Sequence, residues 1–151
     1  MSISSTGIGP LVFGSSPEPS IEFLEGALGP ATDDSGWGPS FSVFGTCPGS
    51  EVRGVTFGPL VVLFGDPEGV RTFYGWRYSA FGSADTFGLT TPADIGLSSS
   101  IADVIAAHPG TVIHPADEVT HVRTAFFGDL FATFDDDDIV QYLSGGLPCA
   151  D

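Results

Sequence analysis

The chain of 151 residues contains no lysine, and its four arginines (Arg53, Arg71, Arg77 and Arg123) face 19 acidic residues, for a formal charge of −15. So large a deficit of cations repels phosphate backbones and anionic headgroups. It argues against nucleic-acid and electrostatic membrane binding and favours positive partners or divalent cations. An acidic, well-hydrated surface suited to solubility or high salt accounts for the same imbalance. No run of about 18 apolar residues exists, so neither a transmembrane helix nor membrane insertion is expected. Residues 1–6 lack a basic start and an apolar stretch, so no signal segment is read there. Cysteine is nearly absent too: Cys47 and Cys149 are the two present. They are either two buried thiols or a single bridge. Because Cys149 lies two residues from the last residue, where burial without a tether is difficult, the bridge is the better reading, and it points to an exported, extracytoplasmic protein. Closing a loop of about 100 residues would be worth up to about 4.7 kcal/mol.

What the chain does have is 21 glycines, 12 prolines and 13 phenylalanines within 42% hydrophobic content. That composition describes one domain, residues 1–151, of short strands and tight turns around an aromatic core. Its organisation is visible in an echo. The stretch VRGVTFGPLVVLFGD at 52–66 lies over VRTAFFGDLFATFDD at 122–136 with seven of fifteen positions identical, where chance gives roughly one. The same offset of seventy adds Val70 over Val140 and Gly75 over Gly145. Upstream, Ile21, Leu24, Ala27 and Leu28 follow Ser-Pro-Glu-Pro-Ser and stop at Gly29-Pro30, while Ile101, Val104 and Ile105 follow three serines and stop at His108-Pro109-Gly110. Both patterns predict a short amphipathic helix, over about 18–28 and 99–107. Strand-like segments follow at 41–44, 52–57, 60–64 and 70–78, and again at 112–113, 119–127, 130–134 and 139–143. Cys47-Pro48-Gly49 and residues 65–69 read as turns, and Gly58-Pro59 and Gly128-Asp129 as two-residue hairpin loops of the II′ kind rather than bulges. The expected fold is α+β: two degenerate repeats, about 7–80 and 92–151, joined by a linker at about 81–91. Each is a short helix followed by an antiparallel meander of three or four strands, with the helices on one face of one continuous sheet or two.

The opening Phe13-Gly14-Ser15-Ser16 through Leu28-Gly29-Pro30 resembles the Gly-small-Ser/Thr, helix, Leu-Gly-x-Pro opening of the β-lactamase-inhibitory proteins and of the small lipoproteins of outer-membrane assembly. The segments Gly9-Pro10-Leu11, Cys47-Pro48-Gly49 with Arg53, and Leu89-Thr90-Thr91-Pro92 with Ile95-Gly96 are similar to secreted or lipid-anchored bacterial proteins of unknown function. The first resemblance covers the helix openings and the repeat plan, and it carries over no contact residue. Inhibitory proteins of this type often hold a disulfide within each repeat, whereas here each half has one cysteine. The resemblance implies a secreted or envelope binding module.

Four adjacent carboxylates, Asp135, Asp136, Asp137 and Asp138, are calcium candidates, because a hard cation relieves their repulsion through oxygen ligands. They lack the alternating ligand spacing of an EF-hand, and a solvated acidic turn explains them as well. Asp33-Asp34 is a lesser candidate. His108, His114 and His121 are six and seven residues apart, which suits no shared helical face for zinc and leaves them as surface residues of the helix-to-strand connection. No nucleophile elbow surrounds Ser98-Ser99-Ser100, Cys47 has no evident base, and no phosphate loop follows Gly7-Ile8-Gly9, so catalysis is not expected. Recognition is read instead at Tyr74, Trp76 and Tyr78, which strand alternation places on one face opposite Phe73, Gly75 and Arg77, and at Trp37 in an insertion of the first half. Burial of extra core in that half explains the same aromatics. The expected function is non-catalytic binding of a protein or other envelope component. A calcium-stabilised surface protein is the first alternative and a hydrolase the second. Arg53 and Arg123, a repeated charge in a chain poor in cations, each call for a local carboxylate.

Overall fold

A computed structural model describes residues 1–81, 85, 87–119 and 121–150. It is an α+β fold of mostly antiparallel sheet. Strands β1 (Ile3–Ser4), β2 (Gly7–Ile8) and β3 (Leu11–Val12) form a small sheet ahead of α1 (Pro17–Leu28). Then come β4 (Asp33–Asp34), β5 (Gly38–Ser42), β6 (Gly45–Phe57), β7 (Leu60–Gly65) and β8 (Thr72–Ser79). After α2 (Ile101–Ala107) follow β9 (Ile113–His114), β10 (Arg123–Phe127), β11 (Leu130–Phe134) and β12 (Val140–Gly146). One nine-stranded sheet runs β4-β6-β7-β8-β12-β11-β10-β9, with β5 paired to β6. Among the described residues no helix is long and apolar enough to cross a membrane.

Both helices lie where the spacing predicts them. Pro17 at the first turn of α1 has no N–H to leave unbonded there, and Ile21 and Leu24 are buried. Ser100 caps α2 in a reciprocal box, its Oγ accepting from Asp103 N while the Asp103 carboxylate accepts from Ser100 N. Val104 of α2 joins Ile21 and Leu24 in a single core that also holds Val55, Phe57, Val62, Phe64, Trp76 and Tyr78 from the first half of the sheet and Ala125, Phe127, Ala132, Phe134, Val140 and Leu143 from the second. Each such Val, Leu, Ile or Phe side chain contributes about 1.5–3 kcal/mol by leaving water.

Gly58-Pro59 and Gly128-Asp129 are two-residue hairpin loops, closing Phe57 on Leu60 and Phe127 on Leu130. Gly128 and Asp129 both take positive φ, 55° and 59°. That is the I′ pattern rather than the expected II′. Two expected features differ. Cys47-Pro48-Gly49 is not a turn: β6 runs straight through it, and the hairpin lies earlier, between Ser42 and Gly45. Pro48 is tolerated because the β5–β6 register jumps from Glu51 to Thr46 around it, where no ladder bond needs its missing N–H. The offset of seventy also fails beyond the hairpins: Val70 lies exposed in the β7–β8 turn, whereas Val140 is buried in β12. Phe64 pairs with Phe73, but its counterpart Phe134 pairs with Val140, so the second turn is three residues shorter. The linker turn expected at Gly82, Ser83 and Ala84 lies outside the described residues, and the N-terminal sheet β1–β3 was not anticipated.

Candidate functional site

Strand alternation should leave Tyr74, Trp76 and Tyr78 on one face. The structure separates them instead. Between Phe73, which pairs with Phe64, and Gly75, which pairs with Leu63, Tyr74 is an extra residue of β8. This bulge turns Tyr74 to the outer face of the sheet while Trp76 and Tyr78 stay on the helix-bearing inner face. All three are buried, Trp76 to 1% exposure. The Trp76 indole donates to Ser4 O at 2.9 Å, anchoring β1 to the large sheet. The Tyr78 hydroxyl donates to Asp85 and accepts from Leu89 N; burial, chiefly, and the Asp85 carboxylate push its pKa well above the ordinary tyrosine value. Burial likewise pushes Tyr74 up to about 12. Trp37 is half-buried and lies 4.0 Å under the Arg71 guanidinium, which is itself held by Glu51. The predicted recognition aromatics are therefore corrected: three are core, the fourth is covered by a cation, and they form no common surface.

On the first half, the outer face is sealed. Cys47, Val52, Leu63 and Tyr74 form a second buried cluster with Phe44, Val61 and Cys149. The β5–β6 hairpin arm supplies the cover. Its Phe44 ring sits against Gly54 so closely that a Cβ there would lie 2.1 Å from it, which is why a glycine occupies this strand position. Arg77 Nη2 donates to Phe44 O at 2.8 Å. The Cys47–Cys149 disulfide, as favoured above, ties the arm to the C-terminal segment, and paired bonds between Thr46 and Ala150 extend that union.

On the second half the described residues form no such arm over the same face, and it is open. A groove of about 760 Å³ lies along β10, β11 and β12, bounded by Leu147, Pro148 and Cys149 on one side. Across its floor runs an aromatic ladder: Phe126 and Phe131, direct cross-strand partners with ring centroids 5.1 Å apart, then Tyr142, 6.2 Å from Phe131. Phe126 is 65% exposed. Sequence reasoning missed this ladder, although a signal existed: Phe126 and Phe131 alternate against the core residues Ala125, Phe127, Leu130 and Ala132, so both had to point outward. They stand seventy residues after Thr56 and Val61.

The aspartate turn does not gather ligands. Asp135 Oδ1 accepts from Asp137 N at 2.8 Å and Ile139 N at 3.0 Å, and the Asp138 carboxylate pairs with Arg123. Asp34 is likewise held by Arg53, which also reaches Glu18. Among the described residues no group of three or more His, Cys, Asp or Glu side chains converges as a metal site would require. Each repeated arginine thus has its local carboxylate. The histidines are dispersed: His108 stacks on Phe127 with centroids 5.2 Å apart, while His114 and His121 are exposed. A cleft of about 210 Å³ brings His108 near Ser4, Ser5 and Thr91, with no acid among the described residues of its lining to orient the imidazole. No protein-family model, curated protein or solved structure matches this chain.

Proposed function

We propose that this protein is a non-catalytic, extracytoplasmic binding module that recognises a protein partner through the outer face of β10, β11 and β12. The observation that carries this reading is the aromatic ladder Phe126, Phe131 and Tyr142 on the floor of an open groove. Contiguous exposed aromatic surface is costly in water and is found where an interface forms. The disulfide supports an oxidising location, in line with the secreted or envelope setting implied by the resemblance of the helix openings.

Two tandem copies of one helix-then-meander unit are part of the proposal. The β11–β12 ladder carries an extra residue, Gln141, opposite Thr133 and Phe134, as Tyr74 is extra opposite Leu63 and Phe64. At the β8–β12 seam Ser79 pairs with Tyr142, Tyr78 with Leu143, Arg77 with Ser144, Trp76 with Gly145 and Gly75 with Gly146. Exchanging the two strands, with Tyr74 matched to Gln141, reproduces this same set of pairs. A register unchanged by exchange is what two copies of one unit joined about a two-fold axis would have.

The test is a comparison of baits. Wild-type protein and a Phe126→Ser/Phe131→Ser variant, matched in circular dichroism and melting temperature, are exposed to the source organism's envelope fraction. A partner retained by the wild type and lost by the variant is expected; a partner held equally by both places recognition elsewhere.

A further inference from the structure

The open groove and the sealed face beside it belong to corresponding parts of the same sheet, and the sealed one shows what kind of object fits. In the first half the cover is an extended hairpin arm that lays Phe44 against the strands, with its backbone carbonyl bonded by Arg77. The connection from β4 to Val52, residues 35–51, is long enough to make that arm, whereas the connection from β9 to Val122, residues 115–121, is ten residues shorter and its described residues make none. Among the described residues the groove thus lacks the cover that its counterpart has.

The charges around it select the partner's sign. The groove runs from the Gly128-Asp129 turn, where Asp129 is exposed, to Thr133 and Gln141, beside the turn that exposes Asp136 and Asp137. Arg77 lines the groove with its guanidinium bonded to the neutral Phe44 carbonyl, and Arg123 pairs with Asp138; against them stand Asp129 in the lining and the exposed Asp136 and Asp137. Carboxylates therefore stand at both ends of an aromatic floor whose ring faces themselves attract cations.

Building on the binding role proposed above, we infer that the groove takes an extended segment of a basic protein partner, an aromatic or aliphatic side chain seated on Phe126, Phe131 and Tyr142 and flanking Lys or Arg residues facing Asp129 and the 135–138 turn. Hydrophobic contact holds the anchor, and the acidic rims set its direction and speed its arrival.

The experiment titrates the full-length, oxidised protein with three synthetic peptides: Lys-flanked with a Phe-rich centre, Lys-flanked with a Ser-rich centre, and Glu-flanked with the Phe-rich centre. Binding is read by the chemical shifts of Phe126 and Phe131. The Lys-flanked aromatic peptide is expected to bind at least tenfold more tightly than either other, to weaken as salt rises, and to lose about tenfold with Phe131→Ser. Equal binding of the Glu-flanked aromatic peptide, abolished by Phe131→Ser, overturns the basic partner but leaves the groove as a binding site. Binding of the Lys-flanked Ser peptide as tightly as the aromatic one overturns the aromatic anchor. Binding of none, or peptide-independent self-association detected by sedimentation, overturns the inference, the latter in favour of a second copy as occupant.

Discussion

Arg53 lies on β6 with its guanidinium bracketed by Asp34 at 2.6 Å and Glu18 at 2.7 Å, and it is largely withdrawn from water while Glu18 remains exposed. The Arg53 hydrogen bonds hold the Asp34 carboxyl below the ordinary aspartate value, against an opposing desolvation. Glu51, through Arg71, and Asp66, through Ser50, are lowered in the same sense. A depressed folded pKa means that the stabilisation is complete above the unfolded value, near 4, and is lost as pH falls through the folded one. Thermal midpoints should therefore hold down to about pH 5 and fall below about pH 4. Asp34→Asn should flatten that acid limb and lower the neutral-pH stability by no more than about 1 kcal/mol, since Asp34 is partly exposed. An acid limb as steep in the variant as in the wild type would remove Asp34 from the account. The charge repeat of Arg53 and Arg123 was legible because a cation in so acidic a chain has to find a carboxylate. The fate of Tyr74 was not, because a single extra residue in β8 reverses which face every residue before it occupies.

Among the elements, both helices could be read to within two or three residues because cap, apolar spacing and breaker agreed at each. The hairpins at Gly58-Pro59 and Gly128-Asp129 were equally clear. The arm was obscured: Cys47-Pro48-Gly49 has the composition of a turn, and only the β5–β6 register jump permits it to lie within a strand. The tiny sheet β1–β3 gave no periodic signal, since two-residue strands have none, and it depends on tertiary bonds such as Ile3 N to Thr90 O and the Trp76 indole to Ser4 O. The groove escaped notice for a related reason. Its exposure follows from the absence of an arm among the described residues of the second half, a fact of topology that no local pattern records. The arm and the C-terminal segment depend on each other through Cys47–Cys149, a bridge between positions 102 residues apart. Cys149→Ser should cost about 2–5 kcal/mol, lowering the melting temperature by on the order of 5–15 °C in a chain of this size, as scanning calorimetry of both proteins under non-reducing conditions would show. A loss under 1 kcal/mol would mean that the Thr46–Ala150 pairing and the Leu147 N to Tyr74 O bond secure the segment without the covalent tie.

At the scale of the whole molecule, the 19 carboxylates far outnumber the four cations that could offset them. Arg53, Arg71 and Arg123 are each committed to a neighbouring carboxylate, and Arg77 to a carbonyl. The remaining acidic groups repel one another over a compact surface, and that repulsion is weaker in the expanded unfolded chain, so it opposes folding. Screening acts on the two kinds of interaction unequally. Short ion pairs with little exposure are shielded slightly, whereas repulsions spread over distances near 10 Å are felt at 0.1 M salt and largely suppressed at 1 M, where the screening length is about 3 Å. Raising sodium chloride from 0.05 to 1 M should therefore raise the melting temperature, by about 3–6 °C if the relief is on the order of 1–2 kcal/mol. Calcium gives the sharper contrast. Because Asp135 closes its own turn and Asp138 pairs with Arg123, millimolar calcium should raise the melting temperature no more than magnesium at equal ionic strength. A calcium-specific rise would restore the 135–138 turn as a cation site, and a fall with sodium chloride would mean that the arginine pairs outweigh the repulsion among the remaining carboxylates.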